Sequence, residues 1–256
     1  MKKTLSVIFV MLFALVLLVL AGYGFWQYRN QKVTKIVVHI NRTGKKGFLK
    51  AKEIRAAILH RQNVMGQPVK AVPIRQIEKN IAQNPYIKAV DVYFNLTGDV
   101  MVNVTERTPL IRLFNRQNRS CYVDTDGFLF PLSTSYAPRV LPVNGYIKTK
   151  WVMGDNIFSK KYRHTMLPAV FLLAEKIGAD NFLKAYISQL FVNSNGKIDM
   201  VPELGRYVIH FGDSSQMNVK LENLEAFCKQ VFAHGGWSKY QRVNLEYTNQ
   251  VICTKK

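Results

Sequence analysis

Two aspartates stand one residue apart, Asp124 and Asp126, in the stretch YVDTDGFLFPLS (residues 122–133), with Gly127 directly after them. Carboxylates this close could hold a cation or share acid and base work. A calcium loop of the EF-hand type needs oxygen ligands at alternate positions and a glutamate at the twelfth. Counted from Asp124, the fifth position is Phe128 and the twelfth is Ser135, and the glycine comes too early. The metal reading therefore fails at three positions. Asp-Gly between the apolar runs CYV and FLF is instead what a tight hairpin requires, because glycine tolerates positive φ. The pair is read as a turn.

Other reactive residue types give no stronger signal. His39, His60, His164, His210 and His234 form no H-E-x-x-H or similar spacing. His210 lies in the apolar run RYVIHF and reads as packed rather than ligating. Cys121, Cys228 and Cys253 are far apart, with no C-x-x-C pair. The sequence holds no G-x-S-x-G elbow and no phosphate-cradling glycine loop. The expectation is a non-enzymatic binding module with no catalytic residue, metal or cofactor. Charge is lopsided, 36 Lys plus Arg against 16 Asp plus Glu for a formal +20. That balance suits anionic partners. The cations are spread along the whole chain, without zinc-finger or aromatic RNA-binding patterns, so they read as a basic solvated surface and not as a nucleic-acid site.

Around these residues the elements can be placed. From Thr4 to Gln27 no residue is charged. About twenty apolar residues in a helix cross a bilayer and satisfy their own backbone hydrogen bonds there. Trp26 and Tyr28 mark the far interface. The simplest topology keeps residues 1–3 in the cytoplasm, with 4–27 as the membrane helix and the bulk of the chain exported. A cleaved signal peptide, with VLA at 19–21 as its cleavage site, is the rival, although the apolar run is long for one.

Residues 28–35 read as a linker. KIVVHI is a strand, and LKAKEIRAAILHR a helix with Ile54, Ile58 and Leu59 at helical spacing. VPIRQIEKNIAQNP is a helix with Pro73 in its first turn, Ile74, Ile77 and Ile81 on one face, and Asn84-Pro85 as its stop. YIKAVDVYF and VMVNV alternate as strands, which makes residues 36–105 a compact α+β unit. From 106 to 256 the chain reads as β-rich with helices. IRLFNRQNRSCYVD and GFLFPL form hairpins, and TMLPAVFLLAEKIG is a helix. AYISQLFV and KIDMVP flank the hairpin signal Asn195-Gly196, and RYVIHF is a further strand. A long helix follows from about Gln216 to His234, capped by Gly235. The chain closes with RVNLEY and QVICT, two short strands. A terminal strand such as 242–254 falls at a sheet edge, where free main-chain groups can take a partner strand, or pairs centrally and recruits nothing.

In their order and spacing these stretches resemble the FtsQ/DivIB family of bacterial division proteins. NPYIKAVDVYFNLTGDVMVNVTERTPLIRLF is similar to the end of the family's POTRA domain and its crossing into the β domain. CYVDTDGFLFPLS with RVLPVNG, GRYVIHFGDSSQMNVKLENLEAF with Lys220, and RVNLEYTNQVIC resemble motifs of the β domain. Three departures stand out. The family commonly carries a longer cytoplasmic tail, Asn95 replaces a usual proline, and the family's D-L-R-Y is Asn244-Leu245-Glu246-Tyr247 here.

The resemblance implies an α+β chain made of an N-terminal transmembrane helix, a POTRA-like domain and a β-rich domain with flanking helices. It also implies a divisome scaffold of the cell inner membrane at the division septum. Its β domain would bind FtsB/FtsL-like coiled-coil proteins and other divisome components, and so regulate septal wall synthesis. Tyr247 and Leu245 fall on the matching partner-binding positions, and Val251 and Ile252 are looser matches. Alternative readings are an envelope-anchored cell-wall hydrolase gripping acidic polymer, and a POTRA-type chaperone of exported clients.

Overall fold

The computed structural model describes residues 2–117, 119–233, 239–247 and 250–256. The chain divides after Glu106 into two compact units, each with its own core. The first begins with helix α1 (Lys2–Asn30), in which every residue from Val7 to Gln27 is exposed. A helix that is apolar all round and unpacked matches a bilayer environment.

After α1 the first unit runs β1 (Ile36–Asn41), α2 (Ala51–Arg61), a short 3-10 turn at Val69–Ala71, α3 (Ile74–Ala82), β2 (Ile87–Phe94) and β3 (Val100–Glu106). β3 lies between the other two strands, parallel to β1 and antiparallel to β2. Strict alternation along β3 buries Val100, Val102 and Val104 completely. Ile54 and Ile58 of α2 and Ile77 and Ile81 of α3 close over them. Leu59, expected on the inward stripe, is exposed instead. One residue turns a helix by about 100°, and the pair four apart at 54 and 58 already fills the inner face. At the end of β3 the buried Glu106 carboxylate accepts from the backbone N–H groups of Phe48 (2.7 Å) and Leu49 (3.2 Å).

The second unit is one nine-stranded mixed sheet covered on one face by helices. In chain order it contains β4 (Pro109–Phe114), β5 (Ser120–Asp124), β6 (Leu129–Phe130), β7 (Leu141–Gly145), α4 (Leu167–Ala179), α5 (Asn181–Tyr186), β8 (Ile187–Val192), β9 (Ile198–Pro202), β10 (Val208–Gly212), α6 (Met217–Ala233), β11 (Tyr240–Asn244) and β12 (Ile252–Lys255). The strands lie in the order β12-β11-β10-β9-β8-β7-β4-β5-β6. β7 is parallel to both its neighbours, and β10 is parallel to β11. Gly145 closes β7 at φ +105°, where a Cβ would stand 2.2 Å from the Val192 carbonyl oxygen, so only glycine fits.

Some elements differ from the sequence expectation. The first residues of AYISQLFV belong to α5, because Asp180 caps that helix by accepting from the Leu183 N–H at 2.8 Å. RVNLEY and QVICT do carry two short strands, as read, and these pair antiparallel as β11 and β12. The expected cap Gly235 and the helix end at His234 lie outside the described residues.

The aspartate stretch is a turn in the structure. β5 and β6 pair antiparallel around it, and Gly127 takes φ +85°. Asp124 is 1% exposed and acts as a strut. One oxygen accepts from the N–H groups of Asp126 (3.0 Å) and Phe128 (2.8 Å), and the other meets the Arg107 guanidinium at 2.5 Å. Removing one partner of a buried pair leaves the other charge uncompensated. Asp124→Ala should destabilise the second unit by about 3 kcal/mol, measured by urea unfolding.

Candidate partner-binding edge

The C-terminal strands are held from beneath by apolar packing. Val243 on β11 and Leu245 just after it point into the core shared with Leu221, Leu224 and Cys228 of α6. The Leu245 N–H donates to the His210 carbonyl at 2.9 Å, continuing the β10–β11 pairing by one more bond. On β12, Cys253 faces inward opposite Val243, and Val251 packs on the same core. Burial raises the Cys253 thiol above its ordinary range, and pushes Cys121 up to about 12, so both stay protonated near neutral pH.

The opposite face of the same strands carries charge. His210 Nδ1 meets Asp199 of β9 at 2.5 Å, and its Nε2 lies 3.4 Å from a Glu246 oxygen. The other Glu246 oxygen receives Lys197 at 2.5 Å. Glu246 also lies directly over Gly212, where a Cβ would come within 2.6 Å of it. His210 is therefore not simply packed among apolar side chains but stands at the centre of a half-buried polar chain across three strands. Alternation places Asp199 and His210 outward, with Ile198, Met200, Ile209 and Phe211 inward, so the sequence carried a signal for that pair. No local signal joins Lys197 to Glu246. Beneath this region Lys220 of α6 is buried, donates to both the carbonyl and the carboxylate of Asp213 at 3.0 Å, and lies 5.0 Å from the Phe211 ring.

Of the residues expected to meet a partner, Tyr247 is 50% exposed and Ile252 is 43% exposed. Val251 is half-buried, and Leu245, at 1%, is a core residue that can act only by holding the segment in place. β12 pairs with β11, and among the described residues no strand covers its other side. Such an edge offers a ladder of main-chain donors and acceptors. No group of three metal-binding side chains occurs among the described residues.

Known proteins match the chain along most of its length. The family model described as FtsQ/DivIB, C-terminal related, matches residues 108–254, and the POTRA-like domain model matches residues 31–105. The Cell division protein FtsQ of Salinibacter ruber (strain DSM 13855 / M31) is 27% identical over 195 residues, covering 73% of this chain and 71% of that protein.

The ionic chain gives the edge a pH dependence. The Lys197 ammonium holds the Glu246 carboxyl below its ordinary value of 4.5, with His210 adding to the effect. A lowered carboxyl stabilises the fold fully above its unfolded value, and the contribution is lost as pH falls through the folded value. Thermal melts of the wild type should therefore lose stability below about pH 4.5, and Glu246→Gln should show a smaller loss over that window.

Proposed function

Because the chain belongs to the FtsQ/DivIB C-terminal related family, we propose that this cell division protein is a non-enzymatic scaffold that works by lending its sheet edge to a partner. It is anchored by α1 in the cell inner membrane, N-terminus in the cytoplasm and both units outside, at the division septum. The open side of β12 takes a strand from an FtsB/FtsL-like coiled-coil division protein. Through that partner and other divisome components, the chain recruits and regulates septal wall synthesis. The observation that carries this reading is the free edge of a two-strand C-terminal ribbon flanked by exposed Tyr247 and Ile252. Main-chain hydrogen bonds supply affinity in such an addition, and side chains beside the strand supply selectivity. In this reading Tyr247 and Ile252 contact the partner, Val251 seats the turn, and Leu245 fixes both to the core.

Tyr247→Glu places a charge at the centre of the contact while leaving the buried row intact. It should abolish co-purification of the coiled-coil partner with an unchanged circular dichroism spectrum and melting temperature. In cells depleted of the wild type it should leave filaments. Retained partner binding by that variant would reject the site. Normal division on depletion would reject the scaffold role itself.

A further inference from the structure

The end of α1 is bonded directly to the body of the first unit. The Tyr28 hydroxyl donates to the Asn95 carbonyl at 3.0 Å, and the Gln31 amide donates to the Thr97 carbonyl at 2.6 Å. Both acceptors lie in the turn between β2 and β3. Gly98 of that turn sits so close that a Cβ would stand 3.2 Å from Gln31. On the other side, the Val69 N–H donates to Gln31 O, Val33 N–H to Gln67 O and Gly66 N–H to Val33 O, each at 2.9 Å. The stretch from Gln31 to Val33 is thus held on both sides.

These bonds set the height of the turn relative to a bilayer. The uncharged run ends at Gln27. At ~1.5 Å per residue it spans the ~30 Å hydrocarbon core, so Tyr28 and Arg29, just beyond it, stand among the headgroups. Helical side chains lean back toward the N-terminus, which for Tyr28 is toward the membrane. The carbonyls that Tyr28 and Gln31 hold therefore lie near the level at which α1 ends. Between the two held carbonyls stands Leu96, 94% exposed, the most exposed large apolar side chain among the described residues. Cations lie on the segments bonded to this turn, which itself carries Asp99, bonded to Thr34 and the Lys35 N–H. Arg29 lies 5.6 Å from the Phe25 ring, Lys32 is exposed just beyond the helix, and exposed Lys70 adjoins Val69.

We propose that the β2–β3 turn is a second membrane contact: Leu96 enters the headgroup layer of the bilayer that α1 crosses, with Arg29, Lys32 and Lys70 on the lipid phosphates. An exposed apolar side chain with cations on the neighbouring segments suits a phospholipid surface, where the apolar part is buried and the charges are met by phosphate. The contact rests on α1 being the membrane anchor, and the experiment separates the two claims.

The full chain carrying Cys253→Ser, with one added cysteine bearing an environment-sensitive fluorophore, is placed in nanodiscs of phosphatidylethanolamine and phosphatidylglycerol. Quenchers are lipids spin-labelled either near the headgroup or at the acyl end. Leu17→Cys reports the anchor, Leu96→Cys the turn, and Lys45→Cys, beyond the far end of β1, solvent. The expected result is quenching of the Leu17 position by the acyl-end label. At Leu96, quenching by the near-headgroup label should be several-fold above that at Lys45. Quenching at Leu17 with Leu96 no higher than Lys45 overturns the second contact alone. Absence of quenching at Leu17 overturns the anchor and the contact with it.

Discussion

A single row of side chains crosses the second unit, and most of its architecture answers to that row. Cys253, Val243, Ile209, Met200, Leu190, Val143, Leu113 and Cys121 are register partners from β12 to β5. All but Cys253 are fully buried. Each strand must present its apolar positions to the helix-covered face, and a slip by one residue would exchange the two faces. α4 and α6 exist to roof this row, with Leu173 and Leu224 lying fully buried against it. At about 25 cal/mol per Å² of apolar surface removed from water, the row and its roof dominate the folding of the unit. The ionic groups on the other face contribute by comparison mainly to register.

Seen from the open end, the same row explains how a strand only four residues long stays ordered at the margin of a sheet. β12 is fastened at Cys253 by packing, at Val251 by the adjoining core, and indirectly at Glu246 by Lys197 and His210. The outward residues Ile252 and Thr254 are left for solvent or a partner. Division of labour between faces is therefore built in. One face secures the strand, the other fixes its register, and the rim stays available for recognition.

How far the sequence announced this depends on whether the determinant is local. The alternation of Val100, Val102 and Val104, the pair Ile77 and Ile81, and the turn at Asn195-Gly196 are local, and each appears as read. The Asp124 turn is local too, but its anchoring to Arg107 is a side-chain contact that spacing does not reveal. Strand order is the least legible feature. β7 beside β8, and β10 beside β11, are parallel pairings joined across helices, and β4 meets β7 only across the β5–β6 hairpin, so their ends are distant in sequence. α5 escaped because it is a six-residue helix running directly into a strand, with Asp180 as its only local mark. At the C-terminal edge, aromatic and β-branched residues were visible, while the ion pair between Lys197 and Glu246 needed three dimensions.

The bonds of Tyr28 and Gln31 to the β2–β3 turn also govern how the first unit can look for its partners. A flexible tether of n residues lets a module wander over roughly 5–6 Å × √n from its anchor. Held as it is, the unit has no such sphere to explore, and a turn of α1 about its axis swings the whole unit with it. With α1 in the bilayer as proposed, its encounters would reduce to lateral diffusion and spin in the plane of the membrane. Partners fixed at a matching height then meet it at a high effective concentration, and those at other heights scarcely at all.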